Sequence, residues 1–297
     1  MEAAMIPWRD ITLEDKSAIE SMIHACGSHN ADYSFANMYM WRHEYEPQIC
    51  FTDNRLLVGN PDWEMFSYPK GDGDVTQSIE LLLEYAHSKG DKLVIRGLTD
   101  KTLSEFLPLY GDRFEIAEDR DNADYLYTAD KLCNLAGRKL SAKRNHINKF
   151  ERNGDYEYVR ITSDNLDAAR DFVAEFYKEK NDPELASEAI AINCMFDNYD
   201  ALGFMAGLLY QNDRPVAFSA GTMLDPECCD VHFEKALPNV EGAYTMINRE
   251  FARMACELHP EIQYFNREED MGLEGLRKAK LSYYPDILLM KYFATEK

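Results

Sequence analysis

From Tyr156 onward, the order in which strand-like and helix-like stretches follow one another leaves few folds open. "YEYVRIT" (156–162) alternates as a strand does. "SDNLDAARDFVAEFYKEK" (163–180) follows, with Ser163 or Asp164 as cap and apolar residues at helical spacing; Pro183 opens a second helix predicted to reach about Phe196. Three strand-like runs come next: "FMAGLLYQ" (204–211), "RPVAFSAGTML" (214–224) after the Asn212-Asp213 turn, and "CCDVHFEKAL" (228–237) after Asp225-Pro226. A helix "GAYTMINREFARMACEL" (242–258), a strand "EIQYF" (261–265), a helix "GLEGLRKAKL" (272–281) and a strand "DILLMKYFA" (286–294) complete the series.

Strand, two helices, three antiparallel strands, helix, strand, helix, strand resembles the order of the GNAT acyltransferase fold. The first half echoes it, with helical segments at about 13–25 and 32–43 and strands "EPQICFTD" (46–53), "RLLVGN" (55–60) and "WEMFSYP" (63–69). A helix from Asp74 to Ser88, the strand "KLVIRG" (92–97), a helix from Thr99 to Tyr110 and strands near "RFEIAE" (113–118) and "ADYLYT" (123–128) follow. This internal structural repeat predicts an α/β protein (α+β, mixed sheets) of two tandem GNAT-like domains, 1–135 and 136–297. The junction falls just before "GRKLSAKRNHINKFERNG" (137–154).

At 297 residues and 45% hydrophobic content the chain can build more than one core. Its net charge of -21 opposes nucleic acid and anionic lipid, so an anionic partner needs a local basic patch. The seven cysteines are odd in number and contain no CxxC pair, which predicts reduced thiols, no disulfide and no structural metal. His24, Cys26 and His29 lack a fourth ligand at zinc spacing. "MEAAMIPWRD" has neither a basic nor an apolar leader region, and the longest apolar run, "ALGFMAGLLY", is about half a bilayer span. A soluble cytoplasmic protein without a transmembrane segment is expected.

Two stretches carry charge where a solvated helix would not need it. In "RKLSAKRNHINKFER" (138–152) six basic residues stand against one acidic one, and Lys143 and Arg144 fall on the face shared by Leu140, Ile147 and Phe150. Lys143, Arg144, Asn145 and His146 can meet a phosphate or carboxylate, or the segment is a basic helix whose long side chains snorkel. In "NREEDMGLEGLRKAKL" (266–281) the chain leaves a strand and enters a helix, a place where anions and substrates bind in α/β sheets. Asp270 as N-cap and the glutamates as first-turn charges account for part of it. Arg267 is not explained that way, nor are Arg277 and Lys280 on the stripe of Leu273 and Leu276; an ion-pair network of Arg267, Glu268, Arg277 and Lys280 is expected, with Asn266 beside it.

On the predicted strand "DVHFEKAL", strict alternation puts His232 and Glu234 on one face, as a proton-transfer pair or as a polar outer face. Tyr244 and Asn248, one turn apart on the next helix, can donate to a reacting carbonyl or to the neighbouring strand. A coenzyme A-binding turn would be glycine-rich here, yet "LPNVEGAYT" offers only Gly242.

"DYSFANMYMWRHEY", "GRKLSAKRNHINKF", "VHFEKAL" with "EGAYTMINREFA", and "YFNREEDMGLEGLRKAKLSYYP" together resemble the family of the phosphatidylglycerol lysyltransferase C-terminal domain, specifically its soluble stand-alone members, over about residues 24–294. The resemblance implies tandem GNAT-like domains related to Fem-type aminoacyl transferases, and transfer of an aminoacyl group from aminoacyl-tRNA to an amine or hydroxyl acceptor. Glu234 or Glu268 would take the acceptor's proton, and Tyr244, Asn248 or backbone N–H groups would hold the oxyanion. An acyl-CoA-dependent N-acyltransferase acting on a small amine, and a non-catalytic tandem binding module, are the alternatives. No tightly bound cofactor is expected; aminoacyl-tRNA or acyl-CoA serves as co-substrate, tRNA would meet the basic patch, and the acceptor is a small molecule or a lipid headgroup.

Overall fold

Two compact units share the chain. The first comprises the residues up to Asp124 together with Glu269–Leu273 and Leu288–Lys297; the second comprises Tyr125–Glu268 and Glu274–Ile287. The computed structural model describes residues 6–52, 55–178 and 183–297, so Asp53, Glu179 and Lys180, at the ends of a predicted strand and a predicted helix, lie outside the described residues.

The first unit holds the strands β1 (Arg9–Asp10), β2 (Gln48–Phe51), β3 (Arg55–Asn60), β4 (Met65–Ser67), β5 (Lys70–Gly71) and β6 (Val94–Leu98), and the helices α1 (Lys16–Cys26), α2 (Phe35–Met40), α3 (Arg42–Tyr45), α4 (Thr76–Lys89) and α5 (Asp100–Tyr110). Helix α4 buries Ile79, Leu82, Leu83 and Ala86, and α5 buries Leu103, Phe106 and Tyr110, in one core with Phe66 and Ile95. These spacings keep one stripe of each helix apolar, and each large side chain so buried contributes about 1.5–3 kcal/mol. Lys291 is wholly buried there; its ammonium lies 2.8 Å from Asp124 Oδ1 and 2.6 Å from Asp32 Oδ1. Burial opposes that charge, but the two carboxylates hold the amine well above its ordinary value.

"RFEIAE" and "ADYLYT", predicted as separate strands, form one, β7 (Phe114–Thr128). The polar residues between them sit on a partly exposed stretch where a strand tolerates them, with Asn122 donating to Asp119 at 2.9 Å. After β7 come α6 (Ala129–Asn134), α7 (Ser141–Arg152), β8 (Tyr156–Ile161), α8 (Leu166–Lys178), α9 (Pro183–Asp197), α10 (Tyr199–Leu202), β9 (Met205–Gln211), β10 (Arg214–Asp225) and β11 (Cys228–Ala236). The series ends with α11 (Ala243–Leu258), β12 (Tyr264–Asn266), α12 (Glu274–Leu281) and β13 (Ile287–Glu296).

In the second unit the strands run β7-β12-β11-β10-β9-β8, antiparallel except for β11 and β12, which are parallel and joined by α11. The first unit repeats this with β4 and β6 parallel and joined by α4. Each sheet is closed by a strand from the other half of the sequence: Tyr264–Asn266 of β12 pairs with Leu126–Thr128 of β7, and β6 pairs with β13. Helix α11 lays Met246, Ile247, Phe251 and Ala255 on Leu209, Val231 and Phe265, and Ile147 and Phe150 of α7 join the same core.

One irregularity organises the second sheet. Ala220 of β10 pairs with Phe233, whereas the next residue, Gly221, pairs with Val231, so His232 is an extra residue in β11. A Cβ on Gly221 would stand 2.3 Å from the backbone oxygen of Asp230 and 3.1 Å from the Phe251 ring. Gly221→Ala is therefore expected to cost about 1–3 kcal/mol of stability through overpacking at this point, to be measured as a lower urea midpoint at unchanged slope.

Candidate functional site

The bulge at His232 resets the alternation of β11. Cys229 and Val231 pack against α11, and beyond the extra residue Ala236 does so too, while Glu234 reaches Asn248 of that helix. His232 turns instead toward Thr222, Phe204 and Glu268. The expected His232–Glu234 pair on one face is thus corrected: the two side chains head separate clusters.

The first cluster centres on Glu234, whose Oε1 accepts from Arg267 Nη2 at 2.8 Å and whose Oε2 accepts from Asn248 Nδ2 at 2.8 Å. Arg267 and Glu234 are each only 12% exposed, and the guanidinium lies 4.9 Å over the ring of Tyr283 and 5.7 Å over that of Tyr127. Burial disfavours the Arg267 charge, but Glu234 and the tyrosines more than offset this and hold the guanidinium above its ordinary value. Lys143 of α7 places its ammonium 3.8 Å over the face of Tyr283. Burial first, and the Arg267 charge second, push this amine down to about 8, with Glu234 opposing. Lys280, buried on α12, donates to the Arg267 carbonyl at 2.5 Å, and Tyr127 donates to the Lys280 carbonyl at 2.8 Å.

Three buried polar atoms of this cluster have no hydrogen-bond partner among the described residues: Arg267 Nη1, Asn248 Oδ1 and Ser219 Oγ, the last directly across from Glu234 on β10. Each such atom costs about 1–3 kcal/mol, a cost that a ligand bonding to them would offset.

In the second cluster His232 Nε2 lies 2.9 Å from Thr222 Oγ1, and Nδ1 lies 3.0 Å from Glu268 Oε1 and 3.7 Å from Asp230 Oδ2. Glu268 adopts a left-handed backbone, φ 56°, and its N–H donates to Asn266 Oδ1 at 2.7 Å, an Asx turn that aims the carboxylate at the imidazole. A hydroxyl, an imidazole and a carboxylate in this order can pass a proton from the buried Thr222 to the partly exposed Glu268. The donor atoms of Asp230, His232 and Glu268 also lie within 4.8 Å of one another, the spacing from which a divalent cation can be held.

The predicted network of Arg267, Glu268, Arg277 and Lys280 is therefore split: Arg267 belongs to the first cluster and Glu268 to the second, Lys280 supports the first through a backbone carbonyl, and Arg277 is half-buried on α12. The stripe invoked for it is not buried either, since Leu273 and Leu276 are 48% and 36% exposed. Asp270 is not an N-cap, because α12 begins at Glu274; wholly buried in the first unit, Asp270 accepts from Arg120 at 3.1 Å and from the Gly272 N–H at 3.0 Å. Of the basic helix, Lys143 joins the first cluster, Arg144 donates to the Leu135 and Gly137 carbonyls at 2.5 and 2.7 Å, and Asn145 and His146 are exposed. Tyr244 is 46% exposed, one turn before the buried Asn248. Ser219, Thr222, Tyr127 and Tyr283 were not singled out from the sequence; the one available signal was the polar residues inside otherwise apolar "AFSAGTML".

Mixed sheets of this topology are those of the GNAT-like fold. A tandem GNAT protein from the clavulanic acid biosynthesis pathway shares the fold at 10% identity and a TM-score of 0.51, over 97% of both chains. The chain belongs to the phosphatidylglycerol lysyltransferase C-terminal family, whose model matches residues 25–295. A conserved protein of unknown function from Bacteroides thetaiotaomicron VPI-5482 superposes with a TM-score of 0.91 at 37% identity, over 99% of this chain and 100% of that one. L-PGS from Bacillus licheniformis superposes with a TM-score of 0.65 at 15% identity, over 97% of this chain and 93% of that one. The uncharacterized protein MYCGA3080 of Mycoplasmoides gallisepticum is 23% identical over 174 residues, 58% of this chain, and the match spans 55% of that protein's length. Among the described residues no helix is long and apolar enough to cross a membrane.

The titration of Lys143 gives a test of the cluster. Below pH 8 the amine carries its proton in both folded and unfolded chains. Between about 8 and the ordinary 10.5 the unfolded chain binds the proton more tightly, so this group makes stability rise with pH across that window and leaves it flat above. Lys143→Met is expected to abolish the rise and to stabilise the protein at pH 7 by about 1–3 kcal/mol. Urea melts of both proteins from pH 7 to 10.5 measure it; equal pH dependence in the two would refute the assignment.

Proposed function

We propose that the chain transfers an aminoacyl group from aminoacyl-tRNA to an amine or hydroxyl acceptor, in tandem GNAT-like domains of which the second holds the reaction site. The observation that carries this is the joint placement of Lys143 and Arg267 on Tyr283, with Arg267 Nη1 buried and without a partner. Near neutral pH a useful fraction of the Lys143 amine is unprotonated and accepts the acceptor's proton as the acceptor attacks the ester carbonyl. Arg267 Nη1 then holds the carbonyl oxygen as it becomes an oxyanion. Collapse of the tetrahedral intermediate expels the ribose hydroxyl of the tRNA, which takes the proton back from Lys143. Glu234 orients Arg267 and Asn248 through its two hydrogen bonds, and Asn248 Oδ1 and Ser219 Oγ are acceptors for the α-ammonium of the aminoacyl group. Family membership and the similarity to L-PGS support an aminoacyl donor.

Gly242 supports that donor over acyl-CoA. A Cβ there would meet the His146 carbonyl oxygen at 2.3 Å and Phe150 Cβ at 3.0 Å, so this glycine serves the close packing of α7 on the start of α11. With a backbone carbonyl already at the end of the helix, an incoming pyrophosphate would meet an acceptor as well as the N–H groups.

Incubation with aminoacyl-tRNA carrying a labelled amino acid, with phosphatidylglycerol vesicles and a panel of soluble amines as acceptors, is expected to move the label, and Lys143→Met to lower the rate about 10²–10⁴-fold while the fold is retained. Saturable binding of acetyl-CoA by calorimetry, with no transfer from any aminoacyl-tRNA, would replace this donor with acyl-CoA.

A further inference from the structure

Two thiols of the second unit stand outside this chemistry. Cys133, on the last turn of α6, and Cys256, near the end of α11, face each other with their Sγ atoms 3.7 Å apart. The two helices pack together, and Arg253, three residues before Cys256, fixes the register by donating from Nε to the Cys133 carbonyl at 2.9 Å. Both thiols are partly exposed. By contrast Cys228 and Cys229 are wholly buried, their thiols raised by burial, and Cys26 donates to the Met22 and Gly71 carbonyls. A disulfide needs its sulfurs at about 2.05 Å, so the pair has to close by roughly 1.7 Å.

We propose that Cys133 and Cys256 form a redox-active dithiol that a low-molecular-weight disulfide, such as glutathione disulfide, converts into an intramolecular bridge between α6 and α11. The Cys256 thiolate attacks one sulfur of glutathione disulfide, forms a mixed disulfide and expels one glutathione thiolate. Cys133 then loses its proton and attacks the Cys256 sulfur, forming the Cys133–Cys256 bond and expelling the second glutathione. Two hydrogens leave the protein, and one glutathione disulfide becomes two glutathione thiols. The order of attack follows from the contact: the Cys133 S–H donates to Cys256 and lowers that thiol against the opposing effect of burial, while the same contact, with burial, raises Cys133. The bridge joins residues 123 positions apart. It ties α11, which carries Asn248 two turns upstream, to the helix that follows Tyr127 on β7, and so acts on two elements that hold the first cluster.

The test is equilibration of the full-length reduced protein in glutathione buffers of rising disulfide fraction, followed by alkylation of free thiols and peptide mass mapping. The expected product has lost two hydrogens, joins the peptides containing Cys133 and Cys256, and reverts with dithiothreitol. Cys133→Ser is expected to trap glutathione on Cys256, and Cys256→Ser to leave Cys133 largely unmodified under the same conditions. A stable glutathione adduct on wild type without the cross-link, a cross-link through another cysteine, or full alkylation of both thiols in the most oxidising buffer would each overturn the proposal. So would a Cys133→Ser variant that takes up no glutathione.

Discussion

The second unit depends on one extra residue in β11. With Ala220 opposite Phe233 and Gly221 opposite Val231, the strand must accommodate His232 without a partner, and every side chain beyond it changes face. Without the bulge Glu234 would point away from α11 and lose its salt bridge to Arg267. With it, a salt bridge and an imidazole relay leave the same short segment in different directions. Gly221 makes the irregularity possible, because the Asp230 carbonyl and the Phe251 ring occupy the space a side chain would need.

Burying Arg267 is costly, and the arrangement around it shows how the cost is met. A desolvated guanidinium persists only when its N–H groups are bonded and a carboxylate is close. Glu234 satisfies one nitrogen, the rings of Tyr283 and Tyr127 offer their negative faces, and Nη1 is left over. Lys143 adds a second positive charge beside the first, which is unfavourable for a scaffold and useful for a site, because burial, and then the Arg267 charge, bring the amine to where it can exchange a proton near neutral pH. A purely structural network would gain by replacing Lys143 with an apolar residue of similar length.

Periodicity made the elements of both units legible, since amphipathic helices such as α4, α8 and α11 and the alternating strands bury one side each. Periodicity failed where backbone geometry departs from the ideal. The bulge separated His232 from Glu234, which strict alternation had joined. The Asx turn at Asn266 and the left-handed Glu268 sent Arg267 and Glu268 to different partners, although they are adjacent in a charged run. Arg144 was legible as a charge on the core side of α7 but not as a donor to the carbonyls of Leu135 and Gly137. Tyr283, Tyr127 and Ser219 carry no charge and sit in apolar surroundings, so composition could not mark them as parts of a polar cluster.

Where positive charge can gather in a chain of net charge -21 follows from the same geometry. The start of α11, where an anion would ordinarily meet free N–H groups, is packed against the His146 carbonyl through Gly242, and Glu241 beside it pairs with Lys149 at 2.7 Å. Positive charge is supplied by side chains instead. A shallow basin of about 380 Å³ is lined by Lys131, Arg138 and Lys139 with Tyr284 and Asp286, and Lys139 lies 5.4 Å over the Tyr284 ring. Asp286 pairs with Lys131 at 2.6 Å, and Arg138 and Lys139 bring two further cations to the basin. Fields from the distant carboxylates are screened over about 8–10 Å at physiological salt, so the local sign dominates the field here. A phosphate group approaching this face therefore meets attraction, although the net charge of the chain is repulsive to it.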